Sequence, residues 1–207
     1  MNAPATMKPY DRVFDAQKHY RTLLECTARP GTIGQLDDAL LDVPSQLNRA
    51  TALVALTLLS ADSTFHLVSG EPGADEFLRR ETLAQSAAAE KADFLLVQDA
   101  SRIGEIERAR VGVLAYPEQG ATLILQVAAL SPAPMKGALR LALTGPGIET
   151  EAVDYVLGAP ENLFEILGKH NAEFPLGVDT YLTCDSLSAG PCVLALPRTT
   201  RIAWERV

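Results

Sequence analysis

The sequence contains few residues of the kinds that bind metals. Its 207 residues include three cysteines and three histidines, and the cysteines (Cys26, Cys184 and Cys192) form no Cys-x-x-Cys pair. No histidine has a second ligand at His-x-x-x-His or Glu-x-x-His spacing, so we predict no zinc site. Three scattered cysteines do not supply an iron–sulfur cluster. We interpret Cys184 and Cys192 as buried, unreactive strand residues, with a thiol site near His170 as the alternative.

Common catalytic and phosphate-binding motifs are also missing. There is no Gly-x-Ser-x-Gly elbow, and Gly168-Lys169-His170 lacks the Ser or Thr that completes a P-loop. Gly145-Pro146-Gly147 follows a predicted strand, but residue 150 is Thr150 where a dinucleotide loop has glycine, and Pro146 removes an amide donor. A structural turn is the interpretation of this segment, and a nucleotide loop is the alternative.

The charge and hydropathy patterns exclude two classes of partner. The net charge is −8, which disfavours binding to nucleic acid through lysine and arginine. No apolar run approaches the roughly 18 residues of a membrane span, and no basic start with an apolar core indicates a secretory signal. An odd number of cysteines without a close pair is typical of reduced thiols. We therefore expect a cytoplasmic protein that binds neither membrane nor nucleic acid.

The length favours one large domain, with two smaller ones as the alternative. A chain of this size buries roughly 70% of the surface that it exposes when unfolded, so it needs no disulfide or metal to fold. We expect a flexible tail at residues 1–10 and a single α/β domain at residues 11–207. Helices and strands alternate in the first half and strands cluster in the second, which predicts a mixed sheet with helices on both faces, a three-layer αβα arrangement.

Periodicity predicts the individual elements. The first helix starts after Asp15 as N-cap and extends to about Thr27, with an apolar face of Ala16, Tyr20, Leu23 and Leu24. Ser45 or Asn48 caps the second helix. Residues 84–92 are ambiguous between helix and loop, and residues 71–73 read as a turn. Further helices are predicted at 75–83, 101–108 and 162–170, and strands at 32–36, 64–68, 93–98, 121–130, 138–143, 178–184, 193–196 and 201–205. The strands at 178–184 and 193–196 are predicted to pair, and a hairpin across residues 185–191 could join them.

Two arginines, Arg198 and Arg140, are candidate binding residues. Arg198-Thr199-Thr200 follows a strand, where an arginine with two hydroxyls could hold a phosphate or a backbone carbonyl, or end the strand at an interface. Arg140 lies between apolar neighbours on a strand. It must be paired if it faces inward, and otherwise it lies on an outward or interface surface.

Six segments occur together in the order and spacing of one known family. They are Asp15-Ala16-Gln17 with Tyr20-Arg21, Ala28-x-Pro30-Gly31, residues 120–127, residues 139–148 ending in Thr144-Gly145-Pro146-Gly147-Ile148, residues 174–179, and residues 194–200. From about Asp15 to Thr200 the chain resembles the H subunit of the bacterial carbon–phosphorus (C–P) lyase system, the PhnH family.

The resemblance implies a role in phosphonate catabolism. Family members join the G, I and J subunits in a core complex. With G, I and L they are required to make α-D-ribose 1-methylphosphonate 5-triphosphate from ATP and methylphosphonate. The family fold is similar to the large domain of transferases that use pyridoxal phosphate (PLP), and the isolated subunit tends to form a homodimer.

The resemblance also implies an accessory subunit without a catalytic residue or cofactor of its own. No lysine of the second half (Lys91, Lys136, Lys169) follows a strand in a loop suited to a PLP Schiff base, so we expect no PLP. The alternative is a subunit that contributes to a shared phosphonate or ATP pocket. The candidate anion-binding or interface residues are Arg21, Arg140, Thr144, Gly145, Gly147, Asp179, Arg198, Thr199 and Thr200.

Overall fold

The computed structural model describes residues 8–68, 72–98, 100–186 and 189–207. Within these ranges the helices are α1 (Phe14–Ala28), α2 (Arg49–Leu58), α3 (Pro72–Thr82) and α4 (Glu161–His170), with a 3₁₀ helix at Ala100–Arg108. The strands are β1 (Ile33–Gln35), β2 (Thr64–Val68), β3 (Gln85–Ser86), β4 (Phe94–Val97), β5 (Val111–Val113), β6 (Tyr116–Gly120), β7 (Thr122–Gln126), β8 (Ala129–Ser131), β9 (Leu139–Thr144), β10 (Ala152–Leu157), β11 (Asp179–Ser186), β12 (Gly190–Leu196) and β13 (Arg201–Arg206).

A seven-stranded mixed sheet forms the centre of the fold. Its order is β1-β12-β11-β7-β4-β2-β3, and β12 alone runs against its neighbours. The predicted mixed sheet and α/β class are confirmed, as is the β11–β12 strand pair. Residues 187 and 188, in the predicted hairpin connection, lie outside the described residues.

The two faces of this sheet cover separate apolar cores. On β7, Leu123 and Leu125 face one core and Ile124 faces the other, as the period of two in a strand requires. Helices α1, α2 and α3 cover the Ile124 face. The other face packs against α4, the 3₁₀ helix and a four-stranded antiparallel sheet of order β13-β9-β10-β8. The prediction of two helical outer layers is therefore wrong for this side, where a second sheet supplies much of the layer.

The predicted strand 121–130 is two strands in different sheets. The N–H of Val127 still donates to Thr183 of β11 (2.9 Å), but the N–H of Ala128 donates to Leu157 of β10 (2.8 Å). The chain leaves the large sheet between these two residues. Gly158 permits the crossing, because a Cβ there would lie 2.9 Å from the Ala128 nitrogen. Sequence patterning also missed β5, β6 and β10.

Helix α1 begins two residues before its predicted start, ends close to its predicted end, and buries only part of the predicted apolar face. Asp11 Oδ1 accepts the N–H groups of Val13 and Phe14 (2.8 and 2.9 Å), so Asp11 and not Asp15 satisfies the first amides. Asp15 is buried in the first turn. The buried residues of α1 are Asp15, His19, Leu23 and Cys26, whereas Tyr20 and Leu24 are exposed.

Smaller differences concern capping and turns. Of the two predicted caps for α2, Asn48 is the one observed, and its side chain accepts the N–H of Thr51 (2.7 Å). Pro72 and Gly73 belong to the first turn of α3 and not to a turn before it, where proline's missing N–H costs nothing. The segment 84–92 contains β3 and irregular structure. Residues 8–10, part of the predicted tail, run beside Leu40, whose N–H donates to the Lys8 carbonyl (2.8 Å).

Candidate functional site

Five of the predicted site residues line one cleft at the ends of β9 and β12 and the start of β13. The cleft has a volume of about 520 Å³. The turn after β9 lies very close to the segment after β12, because a Cβ at Gly145 would lie 2.8 Å from the Thr199 carbonyl oxygen. The predicted residues in its lining are Thr144, Gly145, Arg198, Thr199 and Thr200.

The Arg198 side chain is held by the protein itself. Its Nε and Nη2 atoms donate to Asp179 Oδ2 (3.1 and 2.7 Å), and its backbone N–H donates to Asp179 Oδ1 (2.8 Å). Its Nη1 donates to the carbonyls of Pro117 (2.8 Å) and Pro175 (3.3 Å). With 14% of the side chain exposed, Arg198 joins the start of β11, the strand β6 and the loop after α4. Of the open interpretations, the structure shows Arg198 binding backbone carbonyls.

Thr200 and Arg201, which follow Arg198 in the cleft, have polar groups that are not used by other described residues. Thr200 is buried, and its Oγ1 has no hydrogen-bond partner among the described residues. Arg201 is exposed and, within the described ranges, forms no ion pair. Arg201 lines both this cleft and an adjoining groove of about 570 Å³ between α4 and β13, which also contains Lys169. The free cations of this region are therefore Arg201 and Lys169.

The cleft residues that sequence reasoning missed include Asn171, Phe174 and Arg201. Asn171 ends α4 and accepts the N–H of Val178 through its side chain (2.8 Å), and Phe174 is exposed. Arg201 comes directly after the Arg198-Thr199-Thr200 motif in the sequence, and this position could have indicated that it belongs to the cleft. The positions of Asn171 and Phe174 depend on how α4 packs.

The remaining predicted residues lie elsewhere. Gly147, with φ +85°, packs on the end of α1, where a Cβ would lie 2.2 Å from the Ala28 carbonyl oxygen. Arg140 faces outward from β9 and pairs with Glu205 (3.3 Å) and Glu151 (3.6 Å), as the outward alternative predicts. Arg21 is exposed on α1 and is not part of the cleft lining.

The β5–β6 hairpin presents the most unusual surface near the cleft. Four successive apolar residues, 113–116, are exposed at its tip, and Val113, Leu114 and Tyr116 retain 53%, 76% and 56% of their surface. Below the tip, Arg198 donates to the carbonyl of Pro117, the residue after Tyr116, and at the base of the hairpin the N–H of Gly177 donates to the Val111 carbonyl (2.9 Å). The hairpin is thus firmly attached at its base while its apolar tip faces solvent.

Among the described residues, the titratable side chains form no metal-binding group and no activated thiol. Within the described residues no three His, Cys, Asp or Glu side chains group closely enough to hold a metal ion. Burial raises the pKa of Cys26 and Cys184 to about 11, opposite to what an activated thiol requires. His170 lies against the Glu107 carbonyl (3.3 Å), and burial lowers its pKa. The described cysteines are buried, as the interpretation of strand residues predicts for Cys184 and Cys192.

Asp154 is a buried carboxylate on the inner face of β10. It is 1% exposed, and burial alone raises its pKa to about 6. Its Oδ2 has no hydrogen-bond partner in the described chain, and a Cβ at Gly31 would lie 3.6 Å from it. A polar group in such a position destabilises the fold once it is ionised.

Comparison with known proteins defines the family. A family model described as bacterial phosphonate metabolism protein (PhnH) matches residues 9–203. This chain belongs to the PhnH family. The match includes both sheets, the cleft and the hairpin, and it confirms the resemblance seen in the six sequence segments.

Two relatives of this PhnH-family chain are named as subunits of larger systems. It is 32% identical over 198 residues to the α-D-ribose 1-methylphosphonate 5-triphosphate synthase subunit PhnH of Rhizobium meliloti (strain 1021), with 94% of each chain covered. It is 34% identical over 186 residues to the putative C–P lyase subunit protein HtxG of Stutzerimonas stutzeri, with 90% of this chain and 85% of that protein covered. Across the described ranges, no helix combines the length and apolar character needed to cross a membrane.

Proposed function

We propose that this chain is an accessory subunit of the C–P lyase system in phosphonate catabolism, without a catalytic residue of its own. In this role it works in the cytoplasm with the G, I and L subunits in making α-D-ribose 1-methylphosphonate 5-triphosphate from ATP and methylphosphonate. It also joins the G, I and J subunits in the core complex. The names of its two relatives support the pathway, and the surface of the chain supports the accessory role.

The observation that carries this role is the apolar tip of the β5–β6 hairpin. Four successive exposed apolar residues are an unfavourable surface for an isolated protein, and such surfaces mark sites where a partner binds. Two hydrogen bonds, from Arg198 to the Pro117 carbonyl and from Gly177 to the Val111 carbonyl, hold the tip in position. A preformed protrusion of this kind loses little conformational entropy on docking. We propose the I subunit as the partner of this tip.

We further propose that the chain binds no PLP, metal or iron–sulfur cluster, although its fold is similar to that of PLP-dependent transferases. A PLP Schiff base needs a lysine inside a binding pocket. All five lysines of the sequence, Lys8, Lys18, Lys91, Lys136 and Lys169, are exposed. Incubation with PLP should therefore produce no visible absorbance band beyond that of the free cofactor.

The accessory role is tested by capture on a tagged I subunit after co-expression. The wild-type chain should be retained, and Leu114→Glu should be lost, because a charge at the tip opposes burial in an apolar partner surface. Gln119→Glu is the matched control: it adds the same charge on the exposed part of β6 without removing an apolar contact. Failure of the wild type to bind contradicts the proposal. Equal capture of Leu114→Glu and wild type would show that the I subunit does not bind at the hairpin tip.

The isolated chain is proposed to be a homodimer. Sedimentation of the purified protein should give twice the chain mass of 22.2 kDa. A monomer at micromolar concentration would contradict this part of the proposal.

A contribution to a phosphonate or ATP pocket is the second candidate. It is favoured by the unpartnered hydroxyl of buried Thr200 and by the free cations Arg201 and Lys169 beside it. Arg198 is a weaker candidate, since Asp179 and two carbonyls use its donors. ATP at millimolar concentration should then raise the melting temperature of the wild type and not of Arg201→Ala. Identical melting temperatures with and without ATP would eliminate this candidate.

A further inference from the structure

Cys184 and Cys192 are directly opposite each other on β11 and β12. They are register partners, and opposite side chains in an antiparallel pair project from the same face of the sheet. Both are buried, at 0% and 4% exposure, and the Cys192 thiol donates to the Gly190 carbonyl (3.3 Å). Cys26 belongs to the core on the other face of the sheet.

The hydrogen bonds of β12 define the spacing of this pair. The N–H of Leu36 donates to the carbonyl of Pro191 (2.9 Å) on the β1 side. In a central antiparallel strand, the backbone groups of successive residues point to the neighbouring strands on opposite sides. Because Pro191 bonds to the β1 side, the backbone of Cys192 faces β11 and pairs with it by hydrogen bonds. The Cα atoms of such pairs are about 5.5 Å apart, which is a common separation across disulfides.

We propose that Cys184 and Cys192 are an oxidation site, at which a disulfide oxidant converts the two thiols into a disulfide between β11 and β12. The Cys192 thiolate attacks one sulfur of a small disulfide such as oxidised glutathione and releases one glutathione thiolate. The Cys184 thiolate then attacks the Cys192 sulfur of the mixed disulfide and releases the second. The protein loses two electrons and two protons, and oxidised glutathione gains them as two thiols.

Position and burial determine the order and the pH dependence of these steps. Cys192 reacts first because it is the less buried of the two, and it lies close to the exposed residues Asp185 and Ala189 at the hairpin end. Burial raises the pKa of both thiols, that of Cys184 to about 11. Since the thiolate is the nucleophile, closure should be slow at pH 7 and faster at pH 9.

The bond would form beside the attachment of α2 to the sheet. The carboxylate of Asp185, next to Cys184, accepts the N–H groups of Arg49 (2.8 Å) and Ala50 (2.9 Å) at the start of that helix. A covalent link between β11 and β12 at this point restrains the hairpin that carries Asp185. The oxidised chain should therefore melt at a higher temperature than the reduced chain.

The test treats the folded full-length chain with oxidised glutathione at pH 9 and follows free thiols and intact mass. Two of the three thiols should disappear, peptide mapping should join Cys184 to Cys192, and a thiol reductant should restore all three. Cys26→Ser is the matched control and should close the bond like the wild type. In the Cys184→Ser variant the reaction should stop at the mixed disulfide between glutathione and Cys192. If the melting curve of Cys184→Ser shows that this variant is unfolded, Cys184→Ala is used in its place.

Three results would overturn the proposal. The first is wild-type protein that keeps all three thiols, and the second is wild-type protein that retains glutathione on Cys192 beside a free Cys184. The third is a disulfide that joins two chains instead of two strands of one chain.

Discussion

The carboxylate of Asp179 accepts three hydrogen bonds from Arg198, two from the guanidinium and one from the backbone N–H. These residues are 19 positions apart: Asp179 begins β11, and Arg198 follows the end of β12, its antiparallel partner. The same guanidinium reaches the carbonyls of Pro117 and Pro175. The pair therefore attaches the β5–β6 hairpin to the central sheet, and the exposed apolar tip depends on it for its position.

Arg198→Ala should destabilise the fold. It removes hydrogen bonds to a carboxylate and leaves two partly buried carbonyls without a donor, which should cost about 2–3 kcal/mol in the free energy of unfolding. Arg140→Ala is the control, because its exposed pairs with Glu205 and Glu151 should be worth about 0.5 kcal/mol. Urea unfolding of both variants measures the difference. An Arg198→Ala chain as stable as wild type would show that the residue does not hold the hairpin.

Gly147→Ala should be more destabilising than Gly137→Ala. Both glycines have positive φ, +85° and +78°, so both substitutions incur the backbone penalty of roughly 1–2 kcal/mol. A Cβ at residue 147 also meets the Ala28 carbonyl at 2.2 Å, whereas none of the atoms around residue 137 lies within 4 Å. The difference between the two melting temperatures isolates the packing of the turn against α1. Equal losses would mean that the turn can move away from the helix.

Asp154 should make stability fall as pH rises from about 4 to about 6. The folded state keeps the Asp154 proton up to pH about 6, whereas the ordinary pKa is 3.8. Between these values the folded state binds more protons, so raising the pH favours unfolding. The full effect is about 3 kcal/mol. Asp154→Asn should abolish this slope in urea unfolding curves measured from pH 4 to pH 8.

Asp11 provides a control of opposite sign. The N–H groups of Phe14 and Val13 lower the pKa of its carboxyl, so its contribution is present above the ordinary pKa and is lost as the pH falls. Asp11→Ala should reduce stability at neutral pH and leave it nearly unchanged once the pH is low enough to protonate Asp11 in the folded state.

An unchanged pH slope in Asp154→Asn would show that the Asp154 carboxyl is not a destabilising group at neutral pH.

Local patterning predicted most elements of the large sheet. Strands such as β2 and β4 are short runs of apolar residues between turns, a signal that depends on neighbouring residues alone. The single strand predicted at 121–130 was wrong because the break at Val127 and Ala128 depends on which distant strand each N–H meets. No periodicity distinguishes two consecutive apolar strands that belong to different sheets.

The buried face of α1 illustrates a second limit. Of the predicted apolar face Leu23 is buried, but Tyr20 and Leu24 are exposed, and the helix turns Asp15 and His19 toward the core. His19 Nε2 finds the Asp37 carbonyl (3.0 Å), and Asp15 Oδ2 accepts the N–H of Asp11 (2.9 Å). Partners supplied by the tertiary fold make polar burial acceptable, and a sequence pattern does not reveal them.

The candidate site was predicted in part. The segments ending at Thr144-Gly145 and at Arg198-Thr199-Thr200 do meet at one cleft, although 54 residues of sequence separate Thr144 from Arg198. The role of Arg198 in holding the hairpin was not predicted, because the hairpin itself was missed. The hairpin, residues 111–120, interrupts its apolar residues with Gly112 and Pro117 and gave no strand signal of sufficient length.

The accessory role is tested most directly by reconstitution. Purified G, I and L subunits are supplied with ATP and methylphosphonate, with and without this chain, and formation of the ribose 1-methylphosphonate 5-triphosphate is measured. Product should form when all the subunits are present, fall to background when this chain is omitted, and be absent with this chain alone. Product from the chain alone, or full activity without it, would contradict the account.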